Sequence, residues 1–450
     1  MNVIPFVHEG LGNSSYLVGL GDGEALLVDP DRTIWRYLRA AEERGGWRIA
    51  AVFETHLHAD FVSGAREAAH ATGARLFLPA GAQSRLDHHG VAPGERVGLA
   101  GAELEAVGSA GHTPEHLSFV LRAERRPPAL FSGGSLIVGG AARTDLIAPD
   151  LTDELTRAQY RTLRDAFASL ADETALYPTH GGGSFCSTGA GSERSSTLGR
   201  ERATNPLLAI ADEDEFVRWF PTTFPATPAY YSRMRAVNQA GPRLRGEIPP
   251  PPPLPPNDFD RARNGALVVD ARPKEAYAAG HVPGALSNAF RDSYAVWLGW
   301  LVPADTPLLF VTDGLPVEPV VDESLLVGYE RFAGWLEGGM RAWEAAGLPL
   351  RRTDLVDAAG ARRALLDGAA ILDVRQVDEY AAGHIEGAVH MPLGELPSRV
   401  EELPRDRPLV TYCGHGERAS TAVSLLERAG YESLLNLDGG YGAWRAAAHR

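Results

Sequence analysis

The C-terminal half of the sequence contains an internal repeat, and this repeat limits the folds open to the 450-residue chain. Residues 267–286 read LVVDARPKEAYAAGHVPGAL, and residues 370–389 read AILDVRQVDEYAAGHIEGAV. Each copy begins with a continuous apolar run that ends in aspartate, as a buried parallel strand does. A second buried strand follows in each copy, with helical stretches between. The alternation predicts two duplicated α/β domains with parallel sheets, at 257–350 and 354–450.

A proline-rich segment separates this repeat from the preceding chain. Residues 248–256 contain the run PPPPPLPP. Polyproline II is stiff and does not continue a β-sheet, so the segment is predicted to be a semi-rigid linker. The N-terminal module would then comprise residues 1–247, and the whole chain would be an α/β multidomain protein.

Composition excludes several classes of partner. The formal net charge is −15 and Lys274 is the only lysine, so the acidic surface would repel nucleic acid. No apolar run is long enough to span a membrane, and the N-terminus lacks the pattern of a signal peptide. The two cysteines, Cys186 and Cys413, are far apart in sequence and predict no disulfide framework. We therefore expect a cytoplasmic protein that binds neither nucleic acid nor membrane.

Cys413 lies where a buried strand of the last domain leads directly into a helix. The free N–H groups and dipole of a helix N-terminus favour an anion, and the thiolate is the nucleophilic form of cysteine. Arg418 adds a fixed positive charge and is expected to hold the carbonyls of the loop. A buried, inert cysteine would need none of these neighbours. The predicted site has Cys413 and Arg418 as catalytic residues and a sulfur- or anion-binding loop of Gly414, His415, Gly416 and Glu417.

The segment Tyr412-Cys-Gly-His-Gly-Glu-Arg-Ala-Ser420, together with Asp373-Val-Arg375, resembles rhodanese sulfurtransferases across residues 354–450. The resemblance implies that Cys413 attacks a sulfane sulfur, carries it as a persulfide and passes it to a thiol or cyanide. Related phosphatases have a longer Cys-x5-Arg loop that wraps a phosphate. Four residues separate Cys413 from Arg418, which favours sulfur as the substrate atom.

The first copy keeps the fold signature of this family but not its cysteine. It contains Asp270-Ala-Arg272 and Gly280-His281-Val282, and Asp313 stands where the cysteine would be. A carboxylate cannot carry persulfide sulfur. We therefore expect residues 257–350 to form a structural or interface domain, with recognition of a ligand or partner as the alternative.

Histidines cluster after the predicted strands of the N-terminal module. His56, His58 and Asp60 share one loop, and His112 and His180 follow later strands. Imidazole and carboxylate groups that lie close together at neighbouring strand ends are the ligands that a divalent metal needs. The cluster therefore predicts a site with a metal-binding ancestry.

The motifs Thr55-His-Leu-His-Ala-Asp-Phe61 and Gly111-His-Thr-Pro-Glu-His116 resemble the metallo-β-lactamase fold, an αββα sandwich. Within that superfamily they look most like persulfide dioxygenases and relatives of glyoxalase II. Two positions depart from the family pattern. Phe61 replaces a histidine that serves a second metal in hydrolases, which argues against a two-zinc site. Gly134 replaces the aspartate that completes the iron site of the dioxygenases.

Three interpretations of the histidine module stay open. It could be a metal-free binding or scaffold domain. His56, His58 and His112 could hold iron or zinc as a three-histidine face, with Asp60 and His180 nearby. Alternatively, a neighbour such as Asp60 or Asp145 could replace the missing carboxylate and restore dioxygenase activity.

The combined hypothesis is a sulfurtransferase fused to a persulfide-dioxygenase-like domain. Its expected partners are thiosulfate, glutathione-type persulfides and other small thiols, and a homo-oligomer formed through the cysteine-less copy is a further expectation. The alternative is a sulfur-responsive scaffold with little turnover, because catalytic residues are missing at positions 134 and 313. Cys186 is expected to be a loop cysteine without a function, with receipt of sulfur near the histidine cluster as the alternative.

Overall fold

The computed structural model of the chain describes residues 2–124, 126–189 and 191–448. The chain divides into two compact units, Met1–Glu247 with Leu325–Gly328 and Ile248–Ser324 with Tyr329–Arg450. The second unit therefore holds nearly all of both repeated segments. No helix in the described ranges is long and apolar enough to cross a membrane.

The first unit consists mainly of strands, with helices concentrated in its second half. Its strands are β1 (Asn2–His8), β2 (Asn13–Gly21), β3 (Glu24–Val28), β4 (Arg48–Phe53), β5 (Arg75–Pro79), β6 (His89–Val91), β7 (Arg96–Leu99), β8 (Ala102–Gly108), β9 (Leu117–Ala123), β10 (Ala129–Gly133), β11 (Ala141–Ala142), β12 (Ala175–Pro178), β13 (Ser187–Thr188) and β14 (Ser196–Thr197). Its helices are α1 (Trp35–Glu43), α2 (Ala65–Thr72), α3 (Thr152–Arg161), α4 (Leu198–Thr204), α5 (Pro206–Ala209), α6 (Glu213–Trp219) and α7 (Tyr231–Ala240).

Two six-stranded sheets pack face to face in this unit. The first has the order β1-β2-β3-β4-β5-β6, and the second has the order β14-β12-β10-β9-β8-β7. Phe53 of the first sheet and Phe119 of the second meet edge to face, with ring centroids 5.2 Å apart. Apolar residues of α1 and α2 pack on the outer face of the first sheet, and those of α3 and α6 pack on the second. This arrangement confirms the predicted αββα sandwich.

The second unit alternates strands and helices in two similar series. Its strands are β15 (Pro253–Leu254), β16 (Leu267–Asp270), β17 (Leu286–Ser287), β18 (Leu308–Val311), β19 (Phe332–Leu336), β20 (Asp354–Val356), β21 (Ala370–Asp373), β22 (Val389–His390), β23 (Leu409–Tyr412) and β24 (Leu434–Leu437). Its helices are α8 (Pro256–Ala262), α9 (Lys274–Ala279), α10 (Tyr294–Leu301), α11 (Val317–Leu326), α12 (Gly339–Ala345), α13 (Ala358–Leu366), α14 (Val377–Ala381), α15 (Leu396–Arg399), α16 (Glu417–Arg428) and α17 (Gly440–Ala448).

The duplication is visible in the strand order of the two sheets. One sheet has the order β15-β19-β18-β16-β17 and the other the order β20-β24-β23-β21-β22, so equivalent strands occupy equivalent places. All pairings in both sheets are parallel. The prediction of two α/β domains with parallel sheets is confirmed.

The prediction that residues 248–256 lie outside any sheet is wrong. Pro253 and Leu254 form β15, which pairs in parallel with β19 at the edge of the first five-stranded sheet. The backbone amides of Trp335 and Glu337 donate to the carbonyls of Pro252 and Leu254, each at 3.0 Å. Proline lacks an N–H donor but keeps its carbonyl acceptor, so it is tolerated on an edge strand.

The two repeated domains contact each other within the second unit. The Ser287 hydroxyl at the end of β17 lies 2.9 Å from the Ser420 hydroxyl in α16, and the Ser287 amide donates to Ser424 at 3.0 Å. Elsewhere, the indole of Trp300 fills the space that a side chain on Gly394 would need. The helix that opens next to Cys413 is therefore hydrogen-bonded directly to the cysteine-less copy.

Candidate active sites

Cys413 follows β23 directly, and α16 begins four residues later. Its side chain is a free thiol with a residue exposure of only 2%. Gly416 adopts a φ of 111°, a conformation that favours glycine, and its amide donates to the Cys413 sulfur at 3.1 Å. The loop therefore turns a backbone N–H group toward the sulfur, in the way that would stabilise a thiolate.

Backbone groups of α17 and a buried amide hold the carbonyls of this loop. The Tyr441 amide donates to the Cys413 carbonyl at 2.7 Å, and the Gly442 amide donates to the Gly414 carbonyl at 3.2 Å. Asn436 donates to the Gly416 carbonyl at 3.1 Å. We predicted from the sequence that Arg418 would hold the carbonyls of the loop. The observed hydrogen bonds show that these backbone amides and Asn436 do so instead.

Arg418 instead forms a bidentate ion pair with Glu379. Its two terminal nitrogens lie 2.6 and 2.7 Å from the carboxylate oxygens. Burial opposes ionisation of Glu379, but the guanidinium outweighs it and holds the pKa of the carboxyl below its usual value. Cys413 is a further electrostatic and hydrogen-bonding neighbour of Arg418. The pair therefore fixes a positive charge beside the sulfur.

The other loop residues differ in exposure. His415 is exposed, Gly414 and Glu417 are half-buried, and Gly416 is buried. A side chain on Gly414 would approach only Arg418 and Glu379, at 3.6 and 3.9 Å. The predicted loop residues thus lie together around one sulfur atom.

Asp313 occupies the matching position of the first copy and is engaged within its own domain. Its carboxylate accepts from the Met340 amide at 2.7 Å and from Arg272 at 3.0 Å. Its φ of 44° also places it in the left-handed region. A carboxylate held at the start of α12 in this way acts as a structural cap.

Three imidazoles converge in the first unit at loops that follow β4, β8 and β12. Their ligand nitrogens, on His56, His112 and His180, lie within 4.8 Å of one another. The Nδ1 atom of His112 lies 2.6 Å from the Arg143 carbonyl, and its buried Nε2 atom has no hydrogen-bond partner among the described residues. Burial lowers the pKa of His112 to about 3 and that of His56 well below its ordinary value. Both rings are therefore neutral, which is the metal-binding form.

His58 is not part of this group of three, although its ring centroid lies 4.3 Å from that of His56, and the predicted His56–His58–His112 face stays a prediction. Its Nε2 atom lies 2.7 Å from Glu54 and 3.4 Å from Asp29, and all three side chains are buried. Burial opposes the positive charge, but the two carboxylates outweigh it and raise the pKa of His58 to about 10. The ligand atom of His58 also lies within 4.8 Å of those of Asp60 and His180, and it forms another such group with Asp29 and Glu54.

The carboxylates that could have replaced the missing aspartate differ in availability. Asp145 forms a bidentate pair with Arg143 at 2.7 and 2.8 Å and is thereby occupied. Asp60 is fully buried, lies 3.3 Å from His180, and has no well-formed hydrogen bond at either oxygen in the described chain. Asp60 is therefore the carboxylate poised beside the three imidazoles.

The space at Gly134 is closed. A Cβ atom there would lie 2.7 Å from Cδ2 of His112 and 3.0 Å from Cβ of Ala142. Phe61 stacks on His58 with ring centroids 4.2 Å apart, where the family would have a further histidine. His56, His112 and His180 therefore offer three imidazole nitrogens to one metal ion, with Asp60 as an adjoining acid.

Cys186 is buried in the first unit. Burial raises the pKa of its thiol well above the ordinary value, and the nearby Asp60 raises it further. A thiol that resists ionisation is a poor nucleophile. This environment suits the expectation that Cys186 has no sulfur-carrying role.

Comparison with known proteins agrees with this architecture. The rhodanese-like domain family matches residues 256–346 and 357–447, and the metallo-beta-lactamase superfamily matches residues 8–180. A thiosulfate sulfurtransferase GlpE of Stutzerimonas stutzeri is 36% identical over 78 residues, which are 17% of this chain and 72% of that protein. A hydroxyacylglutathione hydrolase of Polaromonas sp. is 34% identical over 176 residues, or 37% of this chain. The matched region spans 62% of that hydrolase.

A solved structure described as a metallo-beta-lactamase from Staphylococcus aureus aligns over 75% of this chain and 98% of its own. The TM-score is 0.65 and the sequence identity is 28%. The strand order and the cysteine loop define a rhodanese protein, and the chain belongs to that family. More particularly, it is a metallo-beta-lactamase domain followed by two rhodanese-like domains.

Proposed function

We propose that the chain is a sulfurtransferase that carries sulfane sulfur on Cys413. The thiolate of Cys413 attacks the outer sulfur of thiosulfate, the S–S bond of the donor breaks, and sulfite leaves with the electron pair. An acceptor thiolate or cyanide then attacks the outer sulfur of the Cys413 persulfide. Cys413 leaves as a thiolate, so no external oxidant or reductant is needed.

The observation that carries this proposal is the environment of the Cys413 sulfur. It combines the Gly416 amide at 3.1 Å with the positive charge of Arg418. The same groups that favour the thiolate would favour the persulfide anion, because both are sulfur anions at a helix N-terminus. Relatives named as sulfurtransferases over this domain support the same chemistry. A reducing compartment such as the cytoplasm would keep the thiol available.

The test is the transfer of sulfur from thiosulfate to cyanide and to glutathione by the full-length protein. Wild type should turn over repeatedly, and intact-mass analysis should find one extra sulfur atom on Cys413. Cys413→Ser should abolish both, whereas Cys186→Ser should retain both. Equal turnover by wild type and Cys413→Ser would reject the proposal.

A second function is favoured by the histidine cluster. We propose that His56, His112 and His180 hold one divalent metal, iron or zinc, and that the domain acts on small persulfides. A bound metal would supply Lewis acidity and, if it were iron, a site for O2. Asp60 would hold His180 in position and keep a negative charge beside the site. The unpartnered Nε2 atom of His112 is the specific observation behind this proposal.

Metal analysis after loading with iron or zinc tests this second function. Wild type should bind about one ion per chain, and His56→Ala, His112→Ala and His180→Ala should each lower occupancy at least about tenfold. His89→Ala, at an exposed histidine of the same unit, is the matched control. O2 uptake with glutathione persulfide would then separate an oxidising enzyme from a metal-binding scaffold. Absence of metal in the loaded wild type would reject this function.

A further inference from the structure

Lys274, the only lysine of the chain, belongs to the cysteine-less domain and lies against the Cys413 loop of the last domain. It opens α9, and only 8% of its surface is exposed. A Cβ atom on Gly416 would lie 2.8 Å from Cε and 3.3 Å from Cδ of Lys274. The methylene stem of the lysine therefore covers the face of Gly416 on which any other residue would carry its side chain.

The ammonium of Lys274 is ion-paired across the boundary between the two domains. It lies 3.0 Å from Asp438, which directly follows β24 of the last domain, and it also contacts Glu275 of its own domain. Burial opposes the positive charge, but the two carboxylates outweigh it and raise the pKa of the ammonium. The backbone of Asp438 is fixed, because its amide donates to the Val356 carbonyl at 2.9 Å. Lys274 is thus tied to the last domain at its charged end as well as along its stem.

Gly416 is the residue through which this contact reaches the sulfur. Its amide donates to the Cys413 sulfur at 3.1 Å, and its carbonyl accepts from Asn436 at 3.1 Å. Its φ is 111°, and a glycine has no side chain of its own to restrict its backbone. The direction of its N–H bond therefore depends on the groups that pack against it, and Lys274 is the group that the cysteine-less domain supplies.

The repeated fold does not itself require a lysine at this place. At the offset of 103 residues that relates the two copies, Lys274 corresponds to Val377, which is 63% exposed. The same position thus faces solvent in the copy that has the cysteine. In the copy that lacks it, the position carries a charge and contacts the sulfur loop of the other domain.

We infer that Lys274 is a positioning residue of the Cys413 site: together with Asp438, it holds Gly416 in the conformation in which its amide donates to the sulfur. The cysteine-less domain therefore supplies part of the site itself. The inference rests on the proposed sulfur transfer for its functional meaning. A direct effect of charge would be different, since loss of Lys274 would disfavour the sulfur anion and loss of Asp438 would favour it. Positioning needs both partners, so the loss of either should weaken the same hydrogen bond.

The test is the pH profile of Cys413 alkylation by iodoacetamide in the full-length protein, with the modified residue located by peptide mass analysis. Lys274→Met, which keeps most of the stem, and Asp438→Asn should both move the midpoint of the profile to higher pH by about 0.5 to 1 pH unit, because one hydrogen bond to the thiolate is weakened. The double variant should move it no further than either single variant, and Lys274→Arg should retain most of the wild-type behaviour.

The other charged or titratable groups around the sulfur are the same in all these variants. They are His415, Glu417, Arg418 and Glu379. A shift common to both single variants therefore reports the hydrogen bond from Gly416. Hydrogen exchange provides a second measurement: the peptide that contains Gly416 should exchange faster in both variants, whereas β23 should exchange as in wild type.

The matched control is the exposed ion pair between Arg261 and Asp258 in α8 of the same domain. Arg261→Gln and Asp258→Asn should leave the midpoint unchanged. Opposite shifts in Lys274→Met and Asp438→Asn would overturn the inference in favour of a direct charge effect, and so would faster exchange of β23 in favour of a general loss of structure. None of these measurements requires sulfur transfer. An unshifted midpoint with sulfur transfer intact overturns the inference alone, whereas a shifted midpoint in a protein that transfers no sulfur rejects only the proposed function.

Discussion

Arg418 and Glu379 are joined by two parallel hydrogen bonds of 2.6 and 2.7 Å, so the cation beside the sulfur has a fixed direction. Glu379 lies at the start of α14, far from Arg418 in sequence. The pair links α16, which begins at the cysteine loop, to α14 of the same domain. Its consequences can be measured.

Glu379→Gln should lower kcat/KM for thiosulfate by about tenfold, because Arg418 loses its orienting partner. The folded pKa of Glu379 lies below 4.5, so the stabilising contribution of the pair is complete above about pH 4.5 and lost as the pH falls through the folded pKa. Wild type and variant should therefore differ by about 1 kcal/mol in unfolding free energy at neutral pH and converge in acid. Glu402→Gln, at an exposed pair with Arg399, is the control. A stability difference that does not shrink as the pH is lowered would contradict this assignment.

Gly416→Ala should impair sulfur loading of Cys413 and destabilise the protein by about 2 kcal/mol, since a φ of 111° strains an L-residue. The added methyl would also press on Lys274. Gly368→Ala supplies the control, because its φ of 94° brings the same kind of strain with no atom within 4 Å. Intact-mass analysis after thiosulfate treatment should show normal loading in Gly368→Ala and reduced loading in Gly416→Ala. Similar loading in both would remove the special role of Gly416.

Gly134→Asp should not restore a family-type metal site in this background. The new Cβ atom would collide with His112, so the variant should lose about 1–3 kcal/mol of stability and bind no more metal than wild type. The control is Gly98→Asp, which adds the same charge to the same unit at a position where a Cβ atom would meet no atom within 4 Å. This control should neither lose stability nor change the amount of bound metal. Urea unfolding and elemental analysis provide the two measurements. A gain in bound metal at unchanged stability would mean that His112 moves aside readily.

Asp313→Cys should not create a second sulfur carrier. The thiol cannot replace the carboxylate that accepts from Met340 and Arg272, and the loss should cost about 2 kcal/mol. Peptide mapping after thiosulfate treatment should find added sulfur at Cys413, which serves as the internal reference, and not at position 313. Comparable sulfur at both positions would show that the first copy lacks only its nucleophile.

The sequence was sufficient for the fold because its signals are local. The repeat at 267–286 and 370–389 predicts two similar parallel sheets, and the observed strand orders agree. The position of Cys413 between β23 and α16 was likewise readable, since a strand, a short glycine loop and a helix are adjacent in the chain. Pro253 was misjudged because an edge strand needs only the carbonyl that proline retains.

Side-chain partners distant in sequence could not be predicted. His58 lies in the same motif as His56, but its Nε2 atom contacts the carboxylates of Asp29 and Glu54. Nothing in the motif indicates which ring will be charged, because that depends on carboxylates contributed by other strands. The same holds for Lys274, whose contact with the Cys413 loop at Gly416 arises only when two copies of one fold pack together.

The packing of Trp300 against Gly394 affects whether the two repeated domains can be separated by truncation. The boundary between the two repeated domains is clear in the sequence. In the structure, however, the indole of Trp300 packs against Gly394 of the other domain, where a larger side chain would not fit. The hydroxyls of Ser287 and Ser420 are also hydrogen-bonded across the domain boundary. A fragment cut near residue 352 would therefore leave an aromatic surface and several polar groups without their partners. The last domain is consequently unsuited to transfer as an isolated domain. Fused to another protein, it would retain Cys413 but lose the packing contacts that the cysteine-less domain makes with it.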